Sequence, residues 1–140
     1  VNIIDTKNNL KNEFTLNEKI GIRISFEVLK KMEGTYTEIE IYSSSKIHIF
    51  SSADLNHKSY DTIGIFTRTV WIDKKILNDG FYFVNLNLLL AKSDIIEKIL
   101  IIEDAVNFEI VIPEDMSELD SSLHRSRKGL VLPSLEWTNS

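Results

Sequence analysis

Glu38 and Glu40 are the residues whose spacing comes nearest to supporting catalysis. Two apart on a strand, they share one face with carboxyl groups roughly 7 Å apart, within the range inverting glycosidases use. That reaction also needs a sugar held between the two groups in a cleft, with one carboxyl kept protonated by burial. Neighbouring glutamates on an open sheet face do not meet that need, so a solvated, non-catalytic pair is expected. The histidines His48, His57 and His124 fall on different elements without i, i+4 pairing, and read as surface residues rather than a metal set. There is no Asp-x-Asp-x-Asp-Gly calcium loop, no Gly-x-x-x-x-Gly-Lys-Ser/Thr phosphate loop and no Gly-x-Ser-x-Gly nucleophile elbow. With no cysteine, thiol catalysis, thiolate metal sites and disulfides are excluded as well. The expectation is a domain that binds rather than reacts, with no cofactor and no metal.

Composition narrows what it could bind. The 140 residues make one domain, 1–140, and 43% hydrophobic with 26% charged residues is ordinary globular composition. Sixteen Lys and Arg against 21 Asp and Glu give a net charge of −5, the wrong sign for a nucleic-acid partner, and none is expected. The longest apolar stretches, 81–91 and 95–102, are broken by Asn85, Asn87, Glu97 and Lys98. Neither reaches the ~18 residues of a membrane helix. No signal-peptide pattern opens the chain, and a start on Val1 rather than Met leads us to expect a piece of something longer.

The elements that must position these residues read as strands. Ile20, Ile22, Ile24, Phe26 and Val28 alternate with polar or small residues, the period of a strand with one buried face. Ile39 and Ile41 alternate with Glu38, Glu40 and Tyr42. After the turn Ser43-Ser44-Ser45, Ile47 and Ile49 alternate with Lys46, His48 and Phe50. Ile63, Ile65, Thr67 and Thr69 mark another strand, rich in β-branched residues. Asn78-Asp79-Gly80 signals a turn into a strand with Tyr82, Val84, Leu86, Leu88 and Leu90 inward and Phe83, Asn85 and Asn87 outward. Val106, Phe108, Ile110 and Ile112 form a strand that Pro113 stops. Short strands with almost no helical period predict an all-β fold, a β-sandwich. Two stretches stay open. Ser93-Asp94 could cap a helix through Ile95, Ile96, Ile99 and Leu100, yet that run is equally β-branched. Residues 114–128 read as a short helix or a linker before the apolar segment 129–137, a connection long enough to allow exchange with a neighbouring chain.

The order of several stretches is distinctive. Val1-Asn2-Ile3-Ile4-Asp5 precedes Phe14-Thr15-Leu16-Asn17-Glu18-Lys19-Ile20, an aromatic ahead of an Asn-Glu step into the long alternating strand. Leu77-Asn78-Asp79-Gly80-Phe81-Tyr82 is similar to a Leu-x-x-Gly-x-Tyr step, and Ala105-Val106-Asn107-Phe108-Glu109-Ile110 to a Phe-Glu-Val strand. The chain closes on Lys128-Gly129-Leu130-Val131-Leu132-Pro133-Ser134-Leu135-Glu136-Trp137. Over residues 1–137 this order resembles the C-terminal domain of Wzt-type ATP-binding subunits of O-antigen polysaccharide ABC transporters, with Asn17-Glu18 where Gly-Glu is commoner. The resemblance implies an immunoglobulin-like or jelly-roll antiparallel β-sandwich, fused after an ATPase domain. It implies a non-catalytic domain that recognises the capped non-reducing end of an O-antigen glycan during export in lipopolysaccharide biosynthesis. The implied location is cytoplasmic and peripheral to the inner membrane, with a transmembrane exporter subunit as partner of the full-length protein. It also implies a homodimer in which 129–137 is exchanged as a terminal strand between protomers.

A sugar site wants planar apolar faces for C–H patches, with amides and carboxylates for the hydroxyls. If 38–42, 46–50, 83–87 and 107–109 share one sheet, its outward residues are Glu38, Glu40, Tyr42, His48, Phe50, Phe83, Asn85, Asn87, Asn107 and Glu109. That is the composition of a glycan-binding face. The competing reading is a structural or adhesive sandwich whose exposed aromatics bind protein. Trp71 and Trp137 are expected to pack on the core or on a partner rather than on a ligand.

Overall fold

A computed structural model describes every residue except 57, 58, 128, 134 and 140, and for Ser59 the main chain alone. His57 therefore lies outside the described residues, as do Lys128 and Ser134 of the closing segment. Strands β1 (Asn2–Ile4), β3 (Ile20–Val28) and β6 (Gly64–Ile72) form one sheet in the order β1-β3-β6. Strands β2 (Glu13–Thr15), β4 (Thr35–Ser43), β5 (His48–Ala53), β7 (Gly80–Lys92) and β8 (Ile95–Val111) form the other, ordered β2-β8-β7-β4-β5. The fold is the expected all-β sandwich. All pairings are antiparallel except that of the three-residue β2, which runs parallel to β8.

The core lies where the alternation places it. Ile20, Ile22 and Ile24 of β3 meet Ile39 and Ile41 of β4, Tyr82 and Val84 of β7, and Phe108 and Ile110 of β8. Each such side chain contributes on the order of 1.5–3 kcal/mol on burial, an upper bound because the unfolded chain already hides some surface. In β6 Val70 and Ile72 pack on the core and half-buried Phe66 stacks on Phe26, while Ile65, Thr67 and Thr69 face water. Ile47 precedes β5 and is exposed rather than alternating inward with Ile49.

The two open stretches resolve in opposite directions. Residues 95–102 are strand, the first half of β8, and Ser93-Asp94 is the two-residue loop that joins it to β7, with Ser93 at φ 54°. A long β-branched run beside an exposed ladder outweighs the capping signal. Glu118–Ser126 is a helix, α1, capped by the Ser117 hydroxyl, which accepts from the Asp120 N–H at 3.1 Å. Its apolar residues Leu119 and Leu123 are exposed, and the residue it buries is His124, whose Nε2 lies 2.8 Å from Asp79 Oδ1. His124 is thus a buried anchor, not a surface histidine. The structure settles the helix-or-linker alternative as a helix and shows which side it turns inward.

The terminal segment begins on its own chain. Leu77 and Val131 form a bridge, the Asn78 N–H donates to Leu130 O at 2.8 Å, and the Leu132 N–H donates to Ile76 O at 2.8 Å. Leu132 enters the core, and Asn78 Nδ2 holds the carbonyls of Arg127 and Gly129. The buried Tyr82 hydroxyl donates to Asn78 O at 2.7 Å, tying this corner to the sheet. After Leu132, the Pro133 carbonyl accepts from Arg127 Nη2 at 3.3 Å, and Trp137 is 94% exposed. Trp71, 44% exposed, lies over Gly21, its partner across the β3–β6 ladder.

Gly21 leaves no room for a side chain. A Cβ there would sit 2.7 Å from both Ile4 Cγ1 and the Trp71 ring. Gly21→Val should therefore cost about 1–3 kcal/mol through overpacking. Urea unfolding checks this, and an unchanged midpoint would contradict the packing described.

Candidate functional site

The outward face of the five-stranded sheet is built on the β4–β7 ladder. Glu38 stands opposite Asn87, Glu40 opposite Asn85 and Tyr42 opposite Phe83. Across β7 and β8, Phe83 faces Asn107 and Phe81 faces Glu109. On the other flank Tyr42 faces His48 and Glu40 faces Ser51. Since Ile39 and Ile41 point into the core, these alternate residues point away from it. The structure thus gathers Glu38, Glu40, Tyr42, His48, Phe83, Asn85, Asn87, Asn107 and Glu109 on one surface.

Phe50 is the exception and corrects the sequence reading. It pairs with Ile41 and packs against the core. The cause is an irregularity between Ile41 and Tyr42, across which β5 steps from Phe50 to His48 and gains one residue. One extra residue reverses the alternation, so Phe50 turns inward while His48 stays outside.

Glu40 organises the centre of the face. Its Oε2 accepts from the Tyr42 hydroxyl at 2.9 Å, and its Oε1 accepts from Lys98 Nζ at 2.9 Å and from Asn87 Nδ2. Asn87 Nδ2 also donates to Glu38 Oε1 at 2.8 Å, and Lys98 Nζ lies 4.0 Å from that oxygen. Asn87, expected on the open face, is on this side but only 1% exposed. Its Oδ1 has no hydrogen-bond partner among the described residues. The His48 ring lies 5.1 Å from that of Tyr42, with Nε2 2.8 Å from Ser51 Oγ and 3.8 Å from Glu40 Oε2. Asn85 Oδ1 accepts from the Asp104 N–H at 2.9 Å.

Burial alone would raise the Glu40 pKa, but hydrogen bonds from Lys98, Asn87 and Tyr42 and the Lys98 charge outweigh it and bring it down to about 2. The hydrogen bond to Glu40 raises the Lys98 pKa, and the same carboxylate raises that of the Tyr42 hydroxyl. A glycosidase acid needs the opposite shift, a carboxyl protonated near neutrality. Glu40 is a permanent acceptor, and the chemistry of this face is hydrogen bonding beside aromatic surfaces. Among the described residues no group of three metal-ligating side chains gathers here or elsewhere.

Sequence reasoning missed Lys98, Ser51 and the exposed Phe81. Lys98 stood as one cation inside an isoleucine-rich run whose helix or strand character was open. Its place beside Glu40 depends on a further irregularity, between Leu88 and Leu89 of the β7–β8 ladder. Phe81 directly follows the turn, where odd parity from Phe83 would have placed it on the same face.

The low Glu40 pKa has a signed consequence. A carboxyl whose folded pKa lies below its unfolded value of 4.5 adds stability that is present above that value and lost as pH falls towards 2. Glu40→Gln should cost about 1–3 kcal/mol at pH 7, and the gap to the unsubstituted protein should close as pH falls from 5 to 2. Urea titrations across that range check it. A gap that stays constant would rule out the ionic arrangement.

No protein-family model and no curated protein matches the chain. The fold, however, is similar to a solved structure described as "Crystal structure of the C-terminal domain of wzt". The TM-score is 0.71 over 99% of this chain and 80% of that one, at 9% sequence identity. The likeness establishes the sandwich architecture along nearly the whole chain.

Proposed function

We propose that this chain is a non-catalytic carbohydrate-binding domain that recognises the capped non-reducing end of an O-antigen polysaccharide for export by an ABC transporter. The observation that carries the reading is the single open face on which Tyr42 and Phe83 stand beside Asn85, Asn107 and the carboxylates of Glu38, Glu40 and Glu109. Sugar rings stack their C–H patches on such aromatics and hydrogen-bond their hydroxyls to such acceptors. The fold similarity to the C-terminal domain of wzt adds a context. On this proposal the ATPase occupies a separate domain of a full-length protein that works in the cytoplasm with a transmembrane partner at the inner membrane. No helix among the described residues is long and apolar enough to cross a membrane.

A second reading, a structural or adhesive domain that binds protein, has its own supporting feature. β2 meets β8 only at Glu109, Ile110 and Val111. Over residues 95–107 the outer edge of β8 carries no strand among the described residues, and Ile95, Ile96, Leu100 and Ile101 on it are exposed. Unpaired apolar edges invite strand addition.

A double substitution separates the two. Tyr42→Ala with Asn85→Ala should weaken binding to purified O-antigen polysaccharides more than tenfold while the circular dichroism spectrum stays β-type. Arg23→Ala or Glu27→Ala on the other sheet should leave binding intact. Normal binding by the double variant, with loss on the other sheet, would refute the face assignment.

We further propose a homodimer in which the segment 129–137, docked on its own chain through residues 130–132, crosses over to make those same contacts on the partner's sheet. Leu123, Leu135 and Trp137 are exposed and line a cavity of about 1000 Å³ between α1 and the terminal segment, and Leu119 is exposed one helical turn before Leu123. Covering large apolar side chains contributes on the order of 1.5–3 kcal/mol apiece. Light scattering should give a dimer for the full chain and a monomer for Leu135→Ser with Trp137→Ser. A full chain that stays monomeric at high concentration would end the idea, as would a variant that remains dimeric.

A further inference from the structure

Resting on the glycan-binding reading above, we infer that the face built on β4 and β7 selects its ligand by charge: it takes uncharged, hydroxyl-rich glycans and rejects those bearing phosphate or carboxylate groups. The argument begins with the donors and acceptors left over once the internal bonds are made. Among the described outward residues of this face the basic ones are Lys98, committed to Glu40, and His48, whose Nε2 is engaged with Ser51 Oγ at 2.8 Å. The Lys98 ammonium donates to Glu40 Oε1 at 2.9 Å and lies 4.0 Å from Glu38, and His48 Nε2 lies 3.8 Å from Glu40 Oε2. A cation already shared by two carboxylates offers little to an incoming anion.

Acceptors, by contrast, are in surplus. Glu38 has one oxygen engaged by Asn87 and a second left over, and Glu109 adds a second carboxylate on the β8 flank. Ionised carboxylates accept and cannot donate, so a surface rich in them is complementary to a ligand rich in donors. Sugar hydroxyls are donors. Phosphate and uronate groups bring only acceptors and a like charge, and would meet repulsion with nothing to offset it. Electrostatic selection of this kind works by penalising the wrong ligand as much as by attracting the right one.

The test is an array of neutral bacterial polysaccharides printed beside phosphate-bearing and uronate-bearing ones, probed with the full chain. Hits should fall among the neutral glycans, with anionic ones at least tenfold weaker, and should change little between 50 and 500 mM salt. Glu38→Lys, and separately Glu109→Lys in case the first does not fold, should admit anionic glycans and make binding salt-sensitive. Hits concentrated on phosphate or uronate glycans would overturn the charge selection while leaving the glycan-binding reading standing. An array without hits would overturn both, a result distinguishable from the first by the loss of the neutral signal.

Discussion

The constraint on which the rest depends is the unbroken ladder between β4 and β7, from Thr35 opposite Leu90 to Ser43 opposite Tyr82. Side chains along a strand alternate without exception unless a residue is inserted, so this one register decides two surfaces at once. Ile39, Ile41, Tyr82 and Val84 become core because Glu38, Glu40, Phe83 and Asn85 become face. A slip by one residue would bury two glutamates and expose two isoleucines. The hydrophobic effect that closes the sandwich is therefore also what fixes the spacing of the polar groups outside it.

That outer surface is less watery than alternation alone implies. Asn87 is almost wholly covered on the side away from the core, and Glu40 is buried with it. Burying a carboxylate is costly unless it is paired and hydrogen-bonded, and here three donors converge on it. The outcome is a carboxylate held ionised, with its pKa brought down to about 2, in a place where burial alone would have raised it. A group that stays charged at neutral pH and keeps its geometry suits recognition. Proton transfer would need one that titrates nearer neutrality.

How far the sequence was legible follows from the same physics. The strands that alternate strictly, β3 and β4 and the part of β7 around Val84, could be read with their inward and outward sets, because both sheets bury one face. That 38–42, 46–50, 83–87 and 107–109 share one sheet is a supposition about sandwich layout rather than something alternation dictates, and β4, β5, β7 and β8 do lie in one sheet. Phe50 could not be placed, since the residue inserted in β5 leaves no trace in composition. Residues 95–102 were ambiguous because β8 extends beyond the sandwich, where neither face is fully buried and no alternation is enforced. Residues 114–128 stayed open between helix and linker, and the inward residue of the helix, His124, is chosen by Asp79, forty-five positions away.

The irregularities are not scattered. One lies in β5 beside Tyr42, and two lie in β8, opposite Asn85 and Leu88–Leu89. In the larger of these, Ile102 pairs with Leu86 and Val106 with Val84, so residues 103–105 stand against Asn85 alone, and Asp104 adopts φ 49°. That loop of extra chain is what presents the Asp104 N–H to Asn85, and the other slip is what turns Lys98 towards Glu40. Bulges re-aim side chains without disturbing the neighbouring ladder. The central strands cannot be altered without moving the core, because every outward residue there is flanked by an inward one. The flanking strands can. In this sandwich the fixed ladder supplies the platform, and the chemistry presented on it is adjusted at the edges, where a residue can be gained without cost to the packing beneath.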